Sequence, residues 1–218
     1  MATTPAAPVE ALAAVREAEG RLVSVVGGFD DGFVAGPSLL PGWTVGHLIT
    51  HLARNADSHT RRTAAAIDGV MVDQYPGGMT QRTSEIEAGS GRSARALHDD
   101  LAESCGRLLA AWDDVPEYAW ANATRDSSGR ERPLNELPTR RWLEVEVHLV
   151  DLGCGITHRD WPDAFVGARL PEMRAGAADR LPAGEVLPAP GPLAPRDALA
   201  WLYGRLARAD LPTLDTWS

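Results

Sequence analysis

Apolar residues recur at helical spacing along four long stretches of the 218-residue chain. From Val9, the positions Leu12, Val15, Leu22 and Val26 predict a first helix that Gly27-Gly28 ends. Pro41-Gly42-Trp43-Thr44 then makes a turn, with Thr44 as N-cap of a second helix from Val45 to about Asp68. Leu48, Leu52 and Ala56 form its stripe, and Gly69 is its stop. Residues Val70 to Arg92 read as a long connection, with a short helix over Thr80 to Ala88. Ser93 caps a third helix through Leu97, Leu101, Leu108 and Trp112 to Asp114. In the connection that follows, Ser127-Ser128-Gly129-Arg130 is a turn between two short strands, and a fourth helix spans about Thr139 to Gly153.

The pattern changes after Gly155. Asp160-Trp161-Pro162 opens a fifth helix to about Asp179. Pro182, Pro188, Pro190, Pro192 and Pro195 exclude a helix over Leu181 to Pro195. Pro195 then starts a last helix through Ala200, Leu202 and Leu206. The expected architecture is mainly α. A four-helix bundle over 9–155 can host a metal from facing helices, and a reduced α(+β) region over 156–218 follows it.

Composition narrows the chemistry. A formal charge of −9 argues against a nucleic-acid partner, whose footprint would be basic. All 21 basic residues are Arg, so a lysine Schiff base and a P-loop lysine are excluded, and fixed positive charge falls to arginine. Cys105 and Cys154 form no CxxC and no disulfide framework, which points to a reducing cytoplasm. No signal peptide and no 18-residue uncharged apolar stretch is present, so neither export nor a membrane span is expected, and a monomer is the simplest assembly.

Candidate chemistry centres on the fourth helix. Glu144 and His148 stand at i and i+4, on one helical face about 5–6 Å apart, where both reach one divalent ion. His51 of the second helix is a suitable third ligand, since two His and one Glu with an open position make a catalytic zinc site. His47 and His51 form a rival i,i+4 pair, and Asp151 is a further ligand or hydrogen-bond acceptor. Spacing alone leaves that choice open.

Two stretches are distinctive: Gly42-Trp43-Thr44 with Gly46-His47 and His51-Leu52-Ala53-Arg54-Asn55, and Arg141-Trp142 with Glu144-Val145-Glu146-Val147-His148 and Val150-Asp151-Leu152-Gly153. Together with Arg82-Thr83-Ser84-Glu85-Ile86-Glu87-Ala88-Gly89, they resemble the mycothiol-dependent maleylpyruvate isomerase family, a group of DinB-like metal-binding helical bundles. The resemblance covers roughly Leu39 to Trp161, with a fainter echo around Ala200 to Arg205. It implies zinc, or another divalent metal, on His51, Glu144 and His148, which leaves His47 a packing or supporting role. It also implies Arg205 as a catalytic arginine, with Arg82, Asn55 and Arg141 lining the pocket for substrate or thiol.

The implied chemistry is thiol addition. Mycothiol, a low-molecular-weight thiol, would be activated as a thiolate and add to the cis double bond of maleylpyruvate. Rotation and elimination would then give fumarylpyruvate. The substrate is an anionic electrophile, so Arg205 or Arg82 is the expected carboxylate clamp. An S-transferase that retains the thiol on another electrophile, and a non-catalytic metal-binding bundle, are the alternatives.

Overall fold

The computed structural model describes residues 6–182, 186 and 193–214, so Pro188, Pro190 and Pro192 lie outside the described residues. Its helices are α1 (Val9–Val26), α2 (Asp31–Ala35), α3 (Val45–Ile67), α4 (Gly78–Ser90), α5 (Ala94–Asp113), α6 (Leu137–Asp151), α7 (Asp163–Ala175) and α8 (Pro195–Leu202). Strands β1 (Ala123–Arg125) and β2 (Glu131–Pro133) pair antiparallel in register Thr124 to Arg132. The expected turn joins them, with Gly129 at φ +83°. The chain forms two compact units, 1–152 and 153–218.

Local chemistry explains most helix ends. Thr44 Oγ1 accepts from His47 N at 3.3 Å, while His47 Nδ1 accepts from Thr44 N at 3.2 Å, a reciprocal cap that fixes where α3 begins. Ser93 Oγ accepts from Ala96 N at 3.3 Å at the start of α5. Gly69, at φ +70°, lets the chain turn sharply beyond α3, where a Cβ would be strained.

Four boundaries differ from expectation. The connection before α3 contains α2, capped by Asp30, whose Oδ1 accepts from Phe33 N at 2.8 Å; five residues are too few to show a period. Helix α4 is longer than the expected Thr80–Ala88, because α3 supplies a surface for it. A Cβ on Gly46 would lie 2.2 Å from Ser90 O, and one on Gly89 would lie 2.5 Å from Thr50 Cγ2. Helix α7 stops at Ala175, and Ala178–Arg180 is a separate 3-10 turn. Helix α8 ends at Leu202, because Gly204 takes φ +70°, which leaves Leu206 beyond it.

In the first unit α3 packs against α5, α6 and α4, and α1 against α6 and α5. Leu22, Leu48, Leu52, Leu97, Leu101 and Val145 are fully buried between them. An ion pair crosses this core. Arg141 of α6 binds Glu19 of α1 through Nε–Oε1 at 2.6 Å and Nη2–Oε2 at 3.2 Å. Its Nη1 donates to Leu52 O at 2.8 Å and to Asn55 Oδ1 at 2.9 Å, both on α3. Cys105 of α5 donates its thiol to Glu19 Oε2 at 2.9 Å, so one guanidinium gathers all four long helices.

In the second unit α7 packs on α8. Trp161 is buried against Phe165 and Tyr203, with ring centroids 5.6 and 6.0 Å away. Arg196 Nε donates to Trp161 O at 2.9 Å, tying the base of α8 to the start of the unit. Among the described residues, no helix is long and apolar enough to cross a membrane.

Candidate metal centre

His51, on α3, and Glu144 and His148, on α6, meet with one ligand atom each, all within 4.8 Å of one another. His51 Nε2 lies 3.1 Å and His148 Nε2 3.4 Å from the same oxygen, Glu144 Oε2. The two imidazoles stand edge to face, with ring centroids 5.1 Å apart. His51 is 6% exposed at its side chain, His148 15% and Glu144 27%, so the cluster sits at the rim of the buried core with one side open.

The electrostatics suit a divalent cation. Burial pushes His51 down to about 4, with Glu144 pulling the other way, so its ring is neutral at neutral pH. Burial alone would raise Glu144, but hydrogen bonds from His148 and His51 hold it well below the usual carboxylate range. The Nδ1–H of His148 donates to the buried carboxylate of Asp151 at 2.8 Å, which turns Nε2 toward the cluster. Two imidazole nitrogens and one carboxylate oxygen around an open side are a donor set that zinc accepts. Nickel, cobalt and iron accept it too.

Around the cluster the walls are aromatic. Arg82 of α4 donates Nη2–H to His51 Nδ1 at 3.1 Å. Its guanidinium lies 5.8 Å from the ring centres of both Trp43 and Tyr75, held between them. Trp43 also stands edge-on to His51, at 5.6 Å, and lines a cavity of about 520 Å³ with Leu39, Leu40 and Pro41. Leu39 N donates to Asp151 O at 2.8 Å, anchoring that wall to the end of α6.

Several expected site residues fall elsewhere. Arg141 and Asn55, expected to line the pocket, are 0% and 2% exposed and spend their polar groups on each other, Glu19 and Leu52 O. They brace the core beneath the site. Arg205 belongs to the second unit, where it follows α8 and donates to Tyr203 O at 2.6 Å. His47, the rival ligand, is taken up in the α3 cap, with Nε2 3.3 Å from Glu87. Sequence reasoning missed Tyr75, which sits in a connection with no periodicity to mark it, and gave Trp43 no role of its own.

The model of the mycothiol maleylpyruvate isomerase N-terminal domain matches residues 15–153. The chain belongs to that family. Two solved structures share the fold of this family member over nearly its whole length. One is a histidine-to-alanine mutant of the mycothiol-dependent maleylpyruvate isomerase, with a TM-score of 0.86 and 26% identity, covering 96% of this chain and 97% of that one. The other, of the mycothiol-dependent maleylpyruvate isomerase, gives a TM-score of 0.84 and 25% identity over the same shares. The trans-aconitate 2-methyltransferases of Mycobacterium tuberculosis and Mycobacterium bovis are 45% identical over 62 residues. That is 25% of this chain, which spans about a quarter (24%) of the length of these relatives.

Proposed function

We propose that this chain is a metal-dependent isomerase that uses mycothiol to convert a cis-unsaturated keto-dicarboxylate of the maleylpyruvate type to its trans form. The observation that carries this reading is the convergence of His51, Glu144 and His148 within 4.8 Å, in a chain that overlays 97% of a mycothiol-dependent maleylpyruvate isomerase. His51, Glu144 and His148 would hold the metal. A zinc ion bound there would stabilise a thiolate and so supply a nucleophile at neutral pH. The reaction needs no net oxidant. The thiolate would add to one carbon of the double bond, its electron pair passing to the adjoining carbonyl as an enolate; rotation about the former double bond, now single, and collapse of the enolate with loss of the thiolate would restore the alkene in the trans geometry.

The protein's own groups do the rest. With a metal in place, Asp151 would keep the proton of His148 on Nδ1 and leave the Nε2 lone pair for the ion. Arg82 is the fixed cation beside the cluster, aligned by Trp43 and Tyr75 to meet a carboxylate and the negative charge that develops on the adjoining carbonyl. Trp43 covers one side of His51 and keeps bulk water from the sulfur. Arg205 as a second clamp remains part of the proposal, resting on the family resemblance alone.

The test is a proton NMR assay of zinc-loaded protein with mycothiol and maleylpyruvate. The reading predicts conversion to the trans isomer with no change in mass and no consumption of thiol. A stable adduct of substrate plus thiol would replace it with transfer, and no conversion with zinc and thiol both bound would contradict it.

A further inference from the structure

Two hydrogen bonds on His51 are at odds with a metal ion. The ring meets Glu144 Oε2 through Nε2 at 3.1 Å and Arg82 Nη2 through Nδ1 at 3.1 Å. A guanidinium has donors and no acceptor, so Nδ1 must present a lone pair to it. The one ring proton of a neutral imidazole then sits on Nε2, where the Glu144 carboxylate accepts it. Nε2 is also the nitrogen that faces the oxygen shared with His148. To ligate through it, a neutral ring must carry its proton on Nδ1 instead. A proton there meets Arg82 donor to donor.

His148 has the opposite arrangement. Its Nδ1 lies 2.8 Å from Asp151 Oδ2, an acceptor, so nothing on that side opposes ligation through Nε2. One imidazole is set for a metal, and the other is held against it by a single arginine. That arginine has room to move. Arg82 is half-buried on α4, in which only Ile86 is buried. The close contacts of that helix with α3, Ser90 at Gly46 and Gly89 at Thr50, are at its far end. The other contacts of Arg82 are the rings of Trp43 and Tyr75, each 5.8 Å away, and a guanidinium can turn between two aromatic rings while keeping its attraction to both.

We infer that Arg82 and a metal ion compete for His51, so that loading the site frees the Arg82 guanidinium for an anionic substrate. The inference rests on the function proposed above. It makes Arg82 a positioning residue for His51 in one state and a substrate-binding group in the other. The carboxylate clamp is then offered only when the metal is in place, and by linkage a carboxylate that draws Arg82 away strengthens metal binding.

The experiment has two readouts on the full chain, neither of them activity. In protein labelled with ¹⁵N-histidine, two-bond proton–nitrogen correlations show which nitrogen of His51 carries the proton, with its signals assigned by their loss in His51→Asn. Metal-free wild type is expected to carry it on Nε2, and the zinc-loaded protein on Nδ1. Chelator competition then compares zinc affinity in wild type and Arg82→Met. The variant should bind zinc about tenfold tighter, the worth of one hydrogen bond to a charged group, and should do so in 1 M potassium nitrate as well. Metal-free wild type with the proton on Nδ1, or equal affinities, overturns the competition. So does a difference that vanishes in high salt, since that is the repulsion of two cations alone. The tautomer readout needs no Arg82 variant and still tests the inference if Arg82→Met fails to fold. Zinc binding by neither protein overturns the proposed function as well.

Discussion

Helices α3 and α6 carry two polar clusters one turn apart, and the two are built to opposite ends. The inner one is closed. Arg141 is 0% exposed and its guanidinium is matched to Glu19, Asn55 and a backbone carbonyl, so charge and hydrogen bonding balance within the core. The outer one is open. His51, Glu144 and His148 point at one another's ligand atoms, and Glu144 Oε2 alone serves both imidazoles. The closed cluster has no capacity left for a ligand, whereas the open one has three donors aimed at one place. Buried polar groups become a site when their pairing is left for a ligand to complete, and a structural knot when it is not.

The sharpest break between the two is in stability. Arg141→Ala leaves Glu19 buried without a counter-charge, and denaturant unfolding should show a loss of about 3–5 kcal/mol. Replacing both members, Arg141→Met with Glu19→Leu, should recover most of it. A single variant as stable as wild type would mean that this cluster is not the knot described. The comparable change at the open cluster acts on function. Arg82→Ala should lower kcat/KM for isomerisation about a hundredfold at unchanged zinc content, as loss of a group that meets developing charge does. Unaltered kinetics would remove Arg82 from the reaction. Next comes the support of the site: Asp151→Ala should weaken zinc binding about 10–100-fold in chelator competition, because His148 loses the partner that orients it. An unchanged affinity would show that His148 is held by packing instead.

The smallest effect concerns the two thiols. Burial, and then Glu19, pushes the Cys105 thiol well above its ordinary range, and the side chain is enclosed. Iodoacetamide at pH 8 should label Cys154 in the folded protein and leave Cys105 unmodified until it unfolds, as peptide mass mapping would show. Labelling of native Cys105 would mean the inner cluster opens readily.

The same comparison shows what could be read from sequence. Thr44, Ser93 and Gly69 announced helix ends because caps and stops are local chemistry, and Glu144 and His148 announced themselves by their four-residue spacing. Helix α4 was underread because its sequence has almost no apolar stripe; its length depends on close contact with α3 at Gly46 and Gly89. Asn55 and Arg141, expected to line the pocket, pose a different problem. They share helical faces with His51 and Glu144, and only the packing of Glu19, 122 residues from Arg141, decides that they close inward. The contact of Tyr75 with Arg82 likewise exists only in three dimensions.

The most direct test of the account is metal stoichiometry on purified wild type and Glu144→Ala, after zinc loading and removal of excess ion. The account predicts about one zinc per chain for wild type, with tight binding lost in the variant while the fold is kept. Zinc absent from wild type, or retained equally by Glu144→Ala, would contradict it.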